Sequence, residues 1–144
     1  MKITVEHIKG VENEVILRCE TIDEEMLGIL ALLNAASKKI MGIKDGESHL
    51  LAPSEVLYCE SVDDSNFVYT AKDVFATAYS LSELEMLFSD FGFLRCSKST
   101  VINLNAIDRF KTEDGARINA TMRNGEHIVI SRHYAKLLRA KLEA

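Results

Sequence analysis

Phe93-Leu94-Arg95-Cys96-Ser97-Lys98-Ser99-Thr100-Val101-Ile102-Asn103-Leu104 is the stretch that decides the fold. It reads as two strands joined at a bend. Residues 93–97 and 100–110, the second run with a break, are rich in β-branched and aromatic side chains, which pack well on a pleated surface. Alternation at the strand period turns Cys96 toward a core. Arg95 and Ser97 then share the other face, and Lys98 lies at the bend.

Working outward, residues 55–60, 66–71, 73–79, 116–122 and 126–130 have the same strand character. Asn124-Gly125 lies between the last two and predicts a type I′ hairpin, because both residues tolerate positive φ. Asp114-Gly115 marks another turn. Two helices interrupt the strands. Ser80-Leu81-Ser82-Glu83 has the spacing of a capping box and leads into Leu84, Leu87, Phe88 and Phe91. Ser131 caps a last helix that carries Tyr134, Leu137, Leu138 and Leu142.

Upstream, residues 2–8 and 14–20 alternate as two strands around a turn at Gly10–Asn13. A helix is expected over 23–41, opened by a capping box of Thr21 and Glu24. Its apolar stripe is Met26, Ile29, Leu30, Leu33 and Ile40. Residues 42–49 read as a loop or short hairpin and form the best boundary. The expected organisation is a strand–strand–helix unit over 1–45 and a second domain over 46–144. The fold class is α+β, mostly antiparallel β, with short helices.

Composition bounds the function. With 144 residues, 47% of them hydrophobic and 27% charged, the chain can bury a core. No apolar run approaches the ~18 residues of a membrane span. Met1-Lys2-Ile3-Thr4-Val5 lacks the apolar stretch of a signal peptide, so a cytoplasmic location is expected. Cys19, Cys59 and Cys96 are odd in number and widely spaced, which fits core-filling thiols in a reducing compartment. The net charge of −5 is unevenly spread: residues 92–144 hold 10 basic and 5 acidic side chains. A basic third on an acidic chain is compatible with phosphate contact.

Catalytic signatures are absent: there is no phosphate-binding glycine loop, His-Glu-x-x-His, Gly-x-Ser-x-Gly or Cys-x-x-Cys. The histidines at 7, 49, 127 and 133 pair with no cysteine at ligand spacing, so no metal and no cofactor is expected. Asp63-Asp64 reads as a solvated turn rather than an acid–base pair. Polar donors cluster where strands end or helices begin, at Ser65-Asn66, Ser97-Lys98-Ser99 and Ser131-Arg132. Arginine can fork onto guanine, asparagine onto adenine, and lysine suits guanine or phosphate. From the residues alone, ordinary loop polarity and DNA contact both remain open.

An ordered series of segments carries a resemblance. It runs through Glu55-Val56-Leu57-Tyr58-Cys59-Glu60-Ser61, then Tyr79-Ser80-Leu81-Ser82-Glu83-Leu84-Glu85, then the 93–104 stretch followed by Ile107. It ends with Asn124-Gly125 and Ile130-Ser131-Arg132-His133-Tyr134, backed by Leu137 and Leu138. Residues from about 50 to 144 resemble the LytTR DNA-binding domain of bacterial regulators. That resemblance implies an elongated, mostly antiparallel β fold in which loops enter the DNA grooves. It places base contacts at Asn66, Lys98 and Arg132. Ser65, Arg95, Ser97, Ser99, Ser131 and His133 become candidates for the DNA backbone, and Asn103 is assigned to structure. The family often follows a phosphoacceptor receiver domain, and here a unit of about 45 residues stands in its place. Short members resemble regulators controlled by a membrane-bound partner.

The expected function is therefore a sequence-specific transcription regulator, not an enzyme, acting on double-stranded promoter repeats. The N-terminal unit is too small to bury a full core alone. Homodimerisation through it is the favoured expectation. The competing reading is an interaction module that has lost DNA binding and titrates a partner. A small β-rich enzyme is the third.

Overall fold

The computed structural model describes the backbone of residues 1–143 and their side chains apart from 34–37 and 143. Helix α1 (Glu24–Ser37) is followed by the strands β1 (Ile40–Lys44), β2 (Glu47–Leu51), β3 (Val56–Val62), β4 (Ser65–Thr70) and β5 (Val74–Thr77). Then come α2 (Leu81–Leu87), β6 (Phe93–Ser97), β7 (Thr100–Asn103), β8 (Ile107–Glu113), β9 (Arg117–Met122), β10 (His127–Ile130) and α3 (Arg132–Glu143). The strands form a seven-stranded antiparallel sheet in the order β2-β1-β5-β4-β3-β7-β6 and a three-stranded sheet in the order β10-β9-β8.

Two cores lie on the two faces of the large sheet. On one face Val56, Cys59, Val68, Phe75 and Val101 pack against Leu81 and Leu84 of α2 and Phe88 just after it. On the other, Leu57, Tyr58, Leu94, Cys96 and Ile102 meet Ile118, Ala120 and Met122 of the small sheet and Ala135 and Leu138 of α3. Strand β3 serves both cores. A register shift between Val56 and Tyr58 puts an extra residue in the strand. Both faces of the strand are covered, so the four consecutive residues Val56–Cys59 are all buried, and the bulge lets the neighbours Leu57 and Tyr58 enter the same core.

The break expected within 100–110 is a short 3-10 turn, Leu104–Ala106. Asn103 holds it. Its Oδ1 accepts from the Asn105 N–H at 3.0 Å, and its Nδ2 donates to the Val56 carbonyl at 2.8 Å. The capping box at Ser80 is present in both directions: the Ser80 Oγ accepts from Glu83 N, and the Glu83 carboxylate accepts from Ser80 N, each at 3.1 Å.

Several expectations are corrected. The strands expected over 2–8 and 14–20 do not form: residues 1–22 hold no strand, and Ile3 is 85% and Val15 68% exposed. Alternation supplies an apolar face, but an isolated hairpin without a sheet to pair with is marginal in water. Helix α1 is capped by Asp23, whose Oδ1 accepts from Met26 N at 3.0 Å, and not by Thr21. It ends at Ser37. Ile40 leaves the helical stripe for β1, where it is buried. The β1–β2 hairpin straddles the expected division after residue 45, and β1 joins the large sheet through β5. Gly42 permits that approach, since a Cβ there would stand 2.7 Å from the Phe75 Cβ.

The turn residues are also redistributed. Asn124-Gly125 makes a hairpin, but only Gly125 has positive φ, and its N–H donates to the Met122 carbonyl at 2.8 Å. That is a three-residue loop with a glycine bulge, not a type I′ turn. The tight turns with positive φ at both central residues are Asp45-Gly46 and Asp63-Asp64.

Burial pushes the Cys59 and Cys96 thiols up to about 12, whereas Cys19 is exposed. A thiol-reactive probe at neutral pH should label one cysteine in the native protein and three after denaturation. Rapid native labelling of three would contradict the two buried assignments.

Candidate nucleic-acid interface

The antiparallel pairing sets the β3–β4 turn and the β6–β7 turn at one end of the large sheet. The Ser61 N–H donates to the Ser99 carbonyl at 2.9 Å, which ties the two turns together. A second backbone bond, Ser131 N–H to the Cys96 carbonyl at 3.2 Å, fastens the start of α3 to β6. Three segments far apart in sequence, 65–66, 97–99 and 131–133, thus converge on one end.

Lys98 and Ser99 form a two-residue turn closed by the Ser97–Thr100 pair. Neither has positive φ. A register shift between Arg95 and Ser97 provides the twist that the turn itself does not. This bulge has a consequence for the faces. By register, Arg95 lies opposite Val101 on the α2 side, while Ser97 lies opposite Thr100 on the other. The expectation that Arg95 and Ser97 share a face is corrected, because the extra residue at Cys96 reverses the parity. Cys96 is buried as expected.

The predicted residues differ in how far they are already engaged. Lys98 and Arg132 are exposed, and among the described residues neither side chain has a hydrogen-bond or ion-pair partner. His133 is exposed and packs edge-on against Tyr134 at 4.8 Å between ring centroids. Ser65 is exposed, and Ser131 is half-buried at the start of α3, with its carbonyl accepting from Ala135 N at 2.8 Å. The first N–H groups of α3 open from a helix start that the Ser131–Cys96 bond fastens to β6, an arrangement that favours anions. Ser97 and Ser99 support the turn itself: Ser99 N–H donates to Ser97 Oγ at 3.3 Å. Asn66 donates from Nδ2 to the Tyr79 carbonyl at 3.0 Å, keeping one amide hydrogen and Oδ1 for another partner.

Arg95 is engaged most heavily. Its guanidinium donates to the Lys98 carbonyl at 2.9 Å and to Ser82 Oγ at 3.2 Å, and its backbone N–H donates to Glu85 Oε2 at 2.7 Å. Ser61, Ser82 and Glu85 were not singled out from the sequence. The signal for the last two was present, since a helix capped at Ser80 puts Ser82 and Glu85 three apart on one face.

The architecture defines a class: a β scaffold that presents polar and basic loop residues at one end. Helices α2 and α3 are separated by five strands, so the described residues do not join them into a helix-turn-helix. A family model of the LytTr DNA-binding domain matches residues 46–143. A solved LytTr DNA-binding domain from Bacillus cereus has a TM-score of 0.70 at 26% identity, covering 75% of this chain and 99% of that one. A protein described as an uncharacterized HTH-type transcriptional regulator, from Staphylococcus aureus (strain MSSA476), is 23% identical over 93% of this chain and 92% of its own length. The sensory transduction protein LytT of Bacillus cereus is 28% identical over 61% of this chain and 36% of its own. The chain belongs to the LytTr DNA-binding domain family, and its function is DNA-binding transcriptional regulation.

The different engagement of these side chains predicts different stability costs. Asn66→Ala should lower unfolding free energy by about 1 kcal/mol through the lost Tyr79 bond. Lys98→Ala and Arg132→Ala should stay within about 0.5 kcal/mol of wild type. Urea denaturation measures all three, and equal losses would show that the two basic side chains are not free.

Proposed function

We propose that this regulator reads double-stranded DNA through the turns at the end of the large sheet. Lys98 and Arg132 are the principal base readers and Asn66 the third. Ser65, Ser97, Ser99, Ser131 and His133 face the phosphates. The observation that carries this reading is the Ser131–Cys96 backbone bond, which brings two unpartnered cations and a helix N-terminus together. Arg95 was expected at the DNA backbone, but its existing bonds favour a role within the turn.

The reading extends to the setting. No helix among the described residues is long and apolar enough to cross a membrane. A protein that regulates genes through promoter repeats acts in the cytoplasm, and the family gives no reason to expect catalysis. A gel-shift experiment with promoter-region DNA should show binding that weakens with salt, by roughly one log–log unit for each neutralised phosphate. Lys98→Ala and Arg132→Ala should each weaken specific binding by about 1–3 kcal/mol. Unchanged affinity in both would remove these residues from the interface. Absence of any shift at low salt, with stable capture of a protein partner, would favour the titrating module instead.

Residues 1–45 supply the contact between copies in this proposal. Ile3, Val5, Val15, Leu27 and Leu32 are all exposed, and a run of solvent-facing apolar side chains on that scale marks an interaction surface. A homodimer suits paired DNA repeats. A membrane-bound regulatory partner, as the resemblance to short family members suggests, would compete for the same surface. Light scattering of the purified chain should give a dimer mass. Replacing Ile3, Val5 and Val15 with Ser should give a monomer that still binds one repeat. A wild-type monomer at micromolar concentration would exclude the homodimer.

A further inference from the structure

We infer that Arg95 is a positioning residue which, with Ser82 and Glu85 of α2, holds the Lys98 turn in its reading shape without touching DNA. The inference rests on Lys98 being a base reader. A two-residue turn leaves the carbonyl of its first residue without a partner from the ladder. Here the Lys98 carbonyl accepts from Arg95 Nη1 at 2.9 Å, while Nη2 reaches Ser82 Oγ at 3.2 Å. Glu85 Oε2 accepts the Arg95 backbone N–H at 2.7 Å, on the side of β6 that has no neighbouring strand. The Ser80–Glu83 capping box fixes where α2 begins and so where Ser82 stands. On the other side of the turn, the Ser99 N–H is held by Ser97 Oγ and the Ser99 carbonyl by Ser61 N–H. The backbone of Lys98–Ser99 is thus held from both sides while the Lys98 side chain has no partner.

The planar fork of arginine suits this task. One guanidinium spans a carbonyl on the turn and a hydroxyl on the helix, a geometry that a lysine ammonium cannot reproduce. Arg95 Nε is buried without a partner, so that N–H is not open to a phosphate, and Nη1 and Nη2 are already bonded to the turn and to α2. Holding the turn before DNA arrives lowers the ordering cost of binding.

The test uses the full-length chain with promoter DNA and with random duplex. Arg95→Lys should weaken specific binding about tenfold and random-duplex binding less than about twofold, with an unchanged slope of log affinity against log salt. Ser82→Ala, an exposed change that is safe for folding, should repeat the pattern at about threefold. In a Lys98→Ala background Arg95→Lys should add less than about twofold, because both act through one side chain. A slope reduced by about one unit, with equal weakening on random duplex, would place Arg95 on a phosphate and overturn the inference. Additive losses would overturn it as well. If Lys98→Ala alone binds like wild type, the base-reading assignment fails first, and the single variant shows this separately.

Discussion

Everything at the end of the sheet that carries the Lys98 turn depends on β3 being buried on both faces. An antiparallel sheet can leave one face in water, and its strands then alternate. Strand β3 cannot, because α2 covers one side and the small sheet with α3 covers the other. The bulge between Val56 and Tyr58 puts the neighbours Leu57 and Tyr58 in one core, while Val56 and Cys59 enter the other. Each fully buried aliphatic side chain in such a position contributes about 2 kcal/mol. The small sheet is then held by polar bonds at the rim of that core. Tyr58 donates to Glu126 Oε2 at 2.7 Å, and Arg123 N–H donates to the Ala106 carbonyl at 2.9 Å. Burial and the Glu126 carboxylate both raise the Tyr58 pKa, so the phenol keeps its proton as a donor. Because β10 leads directly into α3, the docking of the small sheet decides where Arg132 stands.

The resulting end contains two kinds of polar group. Ser97, Ser99, Asn66 and Arg95 are engaged within the fold, and Lys98 and Arg132 are not. The distinction matters energetically. A bond inside the protein adds only about 1 kcal/mol of net stability. Ordering a flexible long side chain and its loop at an interface costs a similar amount for each. Bonds that hold the turn beforehand therefore shift that cost from binding to folding, where two large cores offset it. The free cations keep their own side-chain freedom and lose it only on contact.

Much of this was legible in the sequence, for a definite reason. The 93–104 stretch, the Ser80 capping box and the β-rich runs from 55 onward each agree with their tertiary surroundings, so local pattern and fold point the same way. The failures have a common cause too. Residues 2–8 and 14–20 have strand alternation, but a strand needs a partner, and periodicity says nothing about whether one exists. Ile40 fits the helical stripe of α1 equally well as it fits β1, and the sheet decided. The bulge at Cys96 is invisible to a period-two reading, which is why Ser97 was placed on the wrong face. The reading of Asp63-Asp64 as a solvated turn between strands holds: both are exposed, and the two-residue connection between the paired β3 and β4 gives both positive φ.

Charge shows the same division between composition and placement. A chain of net charge −5 is repelled by DNA if only its total is counted. At physiological ionic strength, however, fields decay over about 8 Å, so exposed charges beyond that distance scarcely reach the phosphates. In the proposed reading, what acts on DNA is the local set at the end of the sheet that carries Lys98, with Arg132 and the N–H groups opening α3 fastened to β6 by the Ser131–Cys96 bond. Asp63 and Asp64 occupy a neighbouring turn at the same end and oppose them. Sequence-independent attraction is weakened by such opposing charges, whereas a bidentate fork onto a base edge depends on geometry at contact distance. On the proposed reading, an acidic regulator of this shape gives up general affinity for DNA before it gives up discrimination between sequences.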